Sequence, residues 1–335
     1  MKTIRIILGI AAFLVVLPML SPAGGGKAIY GEDDRLDYFA ASPAAQTLSG
    51  SVVSFWRAGA VENQGNGKVK LKTVGFGARF NLCPNERFRE QPSGSFCSGA
   101  LVGETLVLTA GHCITGENAC RNARIVFGYA VEKVGGEAMT VMPAGEIYSC
   151  ARILQRSVPA GLQTQSPDFA LIQLDRKVRG HKPLPVSRGG DLRKGDAVFM
   201  IGHPKGLPLK VAGAARVRDF YGMDYFETDL DTSHGNSGSP VFNSVTGKIE
   251  GVMVAGGKDF IKSPAGCTMT AVYGQAAGSG EFVTSISAFS SLLPALTGEN
   301  AVPQTVDMDL SRTQDETVGI PQKIPFIDGY LNKER

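Results

Sequence analysis

Three short segments of the chain hold residue types that can carry out acyl transfer. Thr109-Ala110-Gly111-His112-Cys113 ends an apolar run with an imidazole. Asp168 opens the strand-like run Phe169-Ala170-Leu171-Ile172-Gln173-Leu174. Gly235-Asn236-Ser237-Gly238-Ser239-Pro240 sets a hydroxyl in a glycine-flanked turn. A serine hydroxyl is a weak nucleophile and needs a neighbouring imidazole to take its proton. The imidazole in turn needs a carboxylate on its other nitrogen, to fix the tautomer and stabilise the charged form. The oxyanion that develops needs convergent backbone N–H groups, and Gly235 lets the backbone turn them inward without a Cβ clash. On this reading His112 is the general base, Asp168 its orienting acid and Ser237 the nucleophile. The N–H groups of Gly235 and Ser237 form the oxyanion hole. A thiol–imidazole dyad of Cys113 and His112 is disfavoured, because adjacent residues of a strand point to opposite faces.

Side chains so far apart in sequence need a rigid frame, and the composition favours a β one. The 335 residues are 43% hydrophobic, enough for one large or two small cores. Glycine (42) and proline (18) are abundant without a G-X-Y period, which points to turn-rich β structure rather than a helical bundle. Short runs rich in β-branched and aromatic residues recur between turn residues. They include Ser51 to Trp56, Val69 to Phe80, Ala123 to Val131, Phe169 to Leu174 and Ala197 to Ile201. Leu209 to Phe220, Lys248 to Val254 and Cys267 to Tyr273 continue the series. Their spacing predicts a barrel or sandwich. A helical apolar period appears only after Ser285, where Ile286, Phe289, Leu292 and Leu293 predict one short helix ending near Pro294 and Gly298.

The two ends differ from this middle. Lys2 and Arg5 precede a fifteen-residue apolar run, Ile6 to Leu20, and Ser21-Pro22-Ala23 follow it. That pattern predicts a signal peptide at 1–23, with cleavage after Ala28 as the alternative. The run is shorter than the ~20 residues of a spanning helix, so no stable membrane insertion is expected once it is removed. The mature chain is then secreted or periplasmic, where disulfides persist. Residues 298–335 hold seven acids, four bases and three prolines within a polar tail and predict a flexible extension. Residues 24–297 remain as the folded domain. A net charge of +3, two of which come from Lys2 and Arg5, and the lack of a basic stripe argue against nucleic-acid binding.

Together with Cys97-Ser98-Gly99-Ala100, the three segments resemble the trypsin- and chymotrypsin-like serine proteases, over roughly Ile29 to Pro294. The resemblance implies an all-β fold of two six-stranded antiparallel barrels with the site in the cleft between them. The first barrel would supply His112 and Asp168, the second Ser237 and the pocket. It further implies a secreted endopeptidase working through an acyl-enzyme on protein or peptide substrates, as a monomer, with no cofactor and no metal. Gly235 to Asn243 and Tyr30-Gly31-Glu32-Asp33-Asp34-Arg35 are similar to the bacterial glutamyl endopeptidase branch. Asn236 stands where the digestive relatives carry the acid that pairs with a freshly cut N-terminus, so activation by that insertion is not expected. Asp231, six residues before Ser237, occupies the place of the carboxylate at the base of the primary pocket in trypsin-like members. Gly256 would leave the pocket wall open. A carboxylate there favours Arg or Lys before the scissile bond, and Met253 replaces the histidine with which glutamyl enzymes read their substrate.

Six cysteines, none in a C-x-x-C pair, predict three disulfides rather than a metal cluster. Cys97 lies sixteen positions before Cys113, matching the bridge that closes the histidine loop in the resembled family. Of the three ways to join the remaining four, Cys120 with Cys150 and Cys83 with Cys267 is preferred. His203 is expected in a structured turn, His181 in solvent, and Glu32-Asp33-Asp34 in a solvated turn rather than a calcium site. The rival reading is a catalytically silent protease-fold binding module. Silent members of a fold tend to lack one of the three catalytic side chains, and all three residue types are present here.

Overall fold

The computed structural model describes residues 28–159, 166–188 and 192–296, so the expected signal segment and tail lie outside it. Six antiparallel strands form a first closed barrel: β1 (Val52–Arg57), β2 (Cys97–Gly103), β3 (Leu106–Thr109), β4 (Ala123–Val126), β5 (Ile147–Ser157) and β6 (Phe169–Leu174). Around the barrel they run β1-β4-β5-β6-β3-β2 and close on β1. The second barrel contains β7 (Ala197–Gly202), β8 (Lys210–Tyr221), β9 (Tyr225–Thr228), β10 (Pro240–Asn243), β11 (Ile249–Ala255) and β12 (Glu281–Ser285). It runs β7-β10-β11-β12-β9-β8 and closes because β8 pairs back onto β7. The two halves thus trace the same path, although the sequence shows no internal repeat.

Alternation along the second-barrel strands joins the halves. Val198, Met200, Val241 and Met253 fill the interior of the second barrel. Their neighbours Phe199, Ile201, Phe242, Val252 and Val254 belong instead to the larger cluster, which also contains the first-barrel residues Phe55, Leu101, Leu108 and Leu171. Side chains of a strand alternate between its two faces, so one strand serves a barrel interior and the inter-barrel seam at once. Phe199 and Phe242 stack in that seam with ring centroids 4.9 Å apart. At roughly 25 cal/mol per Å² of buried apolar surface, such a seam holds the barrels at a fixed relation.

The three disulfides are Cys97–Cys113, Cys120–Cys150 and Cys83–Cys267. The single helix predicted after Ser285 is instead two 3₁₀ turns, Ile286–Ala288 and Ser290–Leu292. Phe289 breaks between them at φ −147°, ψ 2°, where its ring stacks on Phe169 at 4.8 Å. Arg188 also draws off the carbonyls of Ser290, Leu293 and Pro294 that a helix would use. Three short α-helices, Pro43–Ser49, Phe76–Phe80 and Glu117–Arg121, carry too few residues to show an apolar period. Among the described residues no helix is long and apolar enough to cross a membrane.

Residues 28–37 form a strap over the second barrel. Ile29–Tyr30 pairs in parallel with Val272–Tyr273, and Leu36–Asp37 adds to β8. The acidic run within it is not the solvated turn its composition predicts. Arg35 grips Asp33 at 2.8 and 2.6 Å and Arg87 reaches the same acid at 3.0 Å, which holds Asp33 below the usual carboxylate range despite its burial. Asp34 is set beside Asp231, whose Oδ1 accepts Tyr30 N–H at 2.7 Å and whose Oδ2 accepts Asp34 N–H at 2.9 Å. Burial, then the charge of Asp231 and Asp33, pushes the Asp34 carboxyl up to about 9. Burial and Asp33 push Asp231 up to about 7, against the two amide donors and Arg35. Two carboxylates in one dry site cannot both ionise cheaply and titrate as a pair.

Because these carboxyls keep a proton to higher pH in the folded state, their stabilisation is complete below the unfolded value of about 4. It is lost as pH rises through the folded values near 7 and 9. Asp34→Asn replaces the titrating acid with a neutral amide able to donate to Asp231. The variant is expected to be more stable than the parent at pH 9, by on the order of 1–3 kcal/mol, with the gap closing toward pH 5. Urea denaturation at the two pH values checks this, and parallel pH dependences in parent and variant refute it.

Candidate active site

His112 sits in a 3₁₀ turn, Gly111–Cys113, directly after β3. Gly111 is required there, because a Cβ would run into the carbonyl oxygen of Ser157 at the end of β5. Asp168 lies one residue before β6, the neighbour of β3 in the barrel. His112 Nδ1 and Asp168 Oδ2 are 2.7 Å apart, and the His112 N–H donates to Asp168 Oδ1 at 3.1 Å. The acid therefore grips both the ring and the backbone of the same residue. Its own carbonyl accepts Thr284 Oγ1–H at 2.8 Å, which ties the pair to β12 of the second barrel.

Ser237 comes from the turn ahead of β10 and is buried. Gly235 and Gly238 flank it at φ +100° and +88°, a region that favours glycine. A Cβ on Gly235 would strike the His203 carbonyl, and one on Gly238 would strike the Ser98 carbonyl and Thr109 Oγ1. Ser98, on β2, stitches this turn to the first barrel. Its N–H donates to the Ser237 carbonyl at 2.8 Å, its Oγ–H donates to the Gly235 carbonyl at 2.8 Å, and its Oγ accepts His203 N–H at 2.9 Å. Cys113 Sγ lies 3.6 Å from the Ser237 carbonyl oxygen. The turn thus lies against the residues that bracket Gly111 and His112, with Gly238 close to Ala110 and the Ser237 carbonyl close to Cys113. The Gly235 N–H has no acceptor among the described residues.

The region of the expected pocket holds more acid than the sequence suggests. Both oxygens of Asp231 accept amides of the strap, as described above. A Cβ on Gly256 would overlap the carboxylate of Glu281, a fully buried residue at the start of β12. Glu281 accepts Ala28 N–H at 2.9 Å, Gly257 N–H at 3.2 Å and the Thr232 hydroxyl. An acid opening the run Glu281-Phe282-Val283-Thr284 reads as an ordinary strand start, so sequence reasoning missed it. Asn236 is buried and its Nδ2 finds no partner among the described residues.

The other histidines divide by environment. His203 is buried with Nδ1 3.1 Å from the Leu207 carbonyl and stacks on Tyr129, and desolvation drives its pKa down to about 3. His181 is not in solvent as expected, since its ring stacks on Phe127 at 4.2 Å and meets Glu146 at 2.8 Å. His234, beside Gly235, is exposed and pairs with Asp259, which Lys205 also reaches at 2.6 Å. Although burial opposes it, the His234 hydrogen bond and the Lys205 charge keep Asp259 below the usual carboxylate range. Cys97, His112 and Cys113 cluster closely enough for a metal, but the two sulfurs are joined in a disulfide and offer no thiolate.

Among curated proteins, the chain is 31% identical over 116 residues to "Protease Do-like 1, chloroplastic" of Arabidopsis thaliana. That alignment covers 31% of this chain and about a quarter (25%) of the length of the relative. Two solved structures of the Rv3671c protease in an inactive form, one of them the Ser343Ala mutant from M. tuberculosis H37Rv, are each 15% identical. They give TM-scores of 0.42 and 0.39, covering 76% and 74% of this chain and 93% and 88% of theirs. None of these matches singles out the glutamyl endopeptidase branch. Residues 97–252, which contain His112, Asp168 and Ser237, match the family model of the trypsin-like peptidase domain.

Proposed function

We propose that the protein is a serine endopeptidase in which His112, Asp168 and Ser237 form the catalytic triad. The observation that carries the reading is the His112–Asp168 pair at 2.7 Å, with the Ser237 turn packed against the same loop. Asp168 fixes Nδ1 of the imidazole as the protonated nitrogen and leaves Nε2 to accept the Ser237 proton. Attack on a substrate carbonyl then yields a tetrahedral oxyanion stabilised by the N–H groups of Gly235 and Ser237. Collapse passes the proton from His112 to the leaving amine, and water repeats the sequence to release the acyl group. The Asp168 carboxylate, nearly buried, stabilises the imidazolium that forms each time. No cofactor or metal enters this scheme.

The apolar leader and the three disulfides support export beyond the cytoplasm as part of this reading. For specificity we propose a basic residue before the scissile bond, read by the carboxylates of Asp231 and Glu281. Glu281 is the one packed on Gly256, while Asp231 also anchors the strap beneath.

A fluorophosphonate probe is expected to label the mature protein and to leave Ser237→Ala unlabelled. A folded parent that stays unlabelled points instead to the silent binding module. On peptide substrates, Glu281→Gln is expected to lower kcat/KM for Arg and Lys by tenfold or more relative to neutral residues, with Asp231→Asn giving a smaller loss. Circular dichroism melts of both variants separate lost recognition from lost folding, and an unchanged preference in well-folded Glu281→Gln rejects the pocket assignment.

A further inference from the structure

A cavity of about 760 Å³ opens beside His112. Arg57 and Phe96, the Cys97–Cys113 bridge, Asn118 and Asn122 are among the residues that line it. None of Gly235, Ser237, Asp231, Gly256 and Glu281 does so, and every lining residue lies between positions 57 and 122. The cavity therefore touches the proposed base without touching the groups that hold the acyl half of a substrate.

Chemistry gives that location a meaning. In acyl transfer the acyl carbon stays bonded to Ser237 Oγ while the amine departs with the proton that His112 delivers. Residues that follow the scissile bond thus begin at His112 and extend away from the acyl pocket. A concave surface that borders His112 and none of the acyl-side groups is the place for them.

The cavity also has a sign. Arg57 is exposed, its guanidinium lies over the Phe96 ring at 5.6 Å, and it has no ion-pair partner among the described residues. Stacking on the ring orients the planar fork while leaving its edge N–H groups open. No Asp or Glu lines the cavity. Asn122 Nδ2 donates to the Asn118 carbonyl at 2.9 Å and to its Oδ1 at 3.2 Å, which leaves the amide donors of Asn118 for a ligand. With the guanidinium and no carboxylate beside it, such a set favours a carboxylate over an ammonium.

We propose that this cavity is a leaving-side substrate subsite that selects a carboxylate, with Arg57 as its specificity-determining residue. The carboxylate is either an Asp or Glu side chain soon after the scissile bond or the free C-terminus of a short leaving peptide. The proposal rests on the serine-peptidase reading of His112 and Ser237, and two separate readouts keep the two apart.

The first readout is equilibrium binding to the mature protein of four dipeptides with free N-termini, followed by nuclear magnetic resonance titration. Ala-Glu amide, Ala-Gln amide and Ala-Lys amide vary the side chain, and Ala-Gln with a free carboxylate varies the terminus. One or both carboxylate arms are expected to bind about fivefold tighter than Ala-Gln amide, an advantage that fades in high salt. The arm that gains identifies the source of the carboxylate. Arg57→Ala is expected to erase the difference, Arg57→Lys to keep part of it, and Arg57→Glu to favour Ala-Lys amide. The second readout is hydrolysis of an activated acetyl ester by the parent and by Ser237→Ala. This ester has neither a leaving peptide nor a side chain for the acyl pocket and so reports on the Ser237 nucleophile. Equal binding of the neutral and acidic peptides, or discrimination that survives Arg57→Ala and Arg57→Glu, overturns the subsite whatever the ester shows. Discrimination that depends on Arg57 without ester hydrolysis sustains a carboxylate-binding cavity and overturns the reading of Ser237.

Discussion

Ser98 is the residue through which the two barrels define one site. It lies in β2 of the first barrel, yet its amide and hydroxyl hold the carbonyls of Ser237 and Gly235 from the second. Those bonds form only because the Gly238 backbone comes so near to Ser98 and Thr109 that no Cβ fits between them. A hydroxyl on a loop would otherwise wander over several ångströms, and a misplacement of 1 Å is enough to cost on the order of a hundredfold in rate. The glycines around Ser237 thus do more than permit a tight turn. They remove the atoms that would keep the turn at a distance from His112.

Burial of acid in the second barrel follows from the same economy of contacts. A carboxylate out of water needs hydrogen-bond donors or a cation to replace its hydration. Asp231 and Glu281 both find donors in backbone N–H groups of residues 28–34, which lie far ahead of the barrels in sequence. The strap is therefore not an ornament on a finished domain. It completes the solvation of the acids around the proposed pocket, and in return those acids fix where the strap runs. Asp34 overloads this arrangement with a further carboxyl, so the strap holds together best when a proton is shared there.

The segments of the proposed triad were legible in the sequence because each is short and chemically dense. His112, Asp168 and Ser237 stand beside glycines, a cysteine or an apolar strand, and those local contexts suffice to nominate them. Most barrel strands were legible too: the run Phe169 to Leu174 coincides with β6, since its length and branched residues leave little choice. What escaped reading depends on partners distant in sequence. Ser98 looks like one more small residue in Cys97-Ser98-Gly99, and its bonds to Gly235 span 137 positions. Glu281 reads as a polar strand start until Ala28, 253 positions away, supplies its donor. The helix expected after Ser285 failed for the same reason, since Phe289 follows the pull of Phe169 rather than its local period. Within Val69 to Phe80, two strand fragments and a short helix replace the single strand, because a β-rich composition does not show where the chain turns.

Accessibility orders the parts of the proposed triad along a polarity gradient. The Asp168 side chain is 12% exposed, whereas that of His112 is 40% exposed. With the acid inside and the ring at the edge, solvent does little to screen the interaction that fixes the tautomer. The ring itself stays accessible and lines the cavity. The reverse arrangement would place a solvated carboxylate beside a buried imidazole, weakening the first interaction and hiding the second group from its substrate. The fold reaches the useful order by putting Asp168 under β12 through Thr284 and His112 on a turn that projects past the end of β3. An accessible imidazole, backed by an acid that is not, is thus a consequence of where each barrel ends its strands.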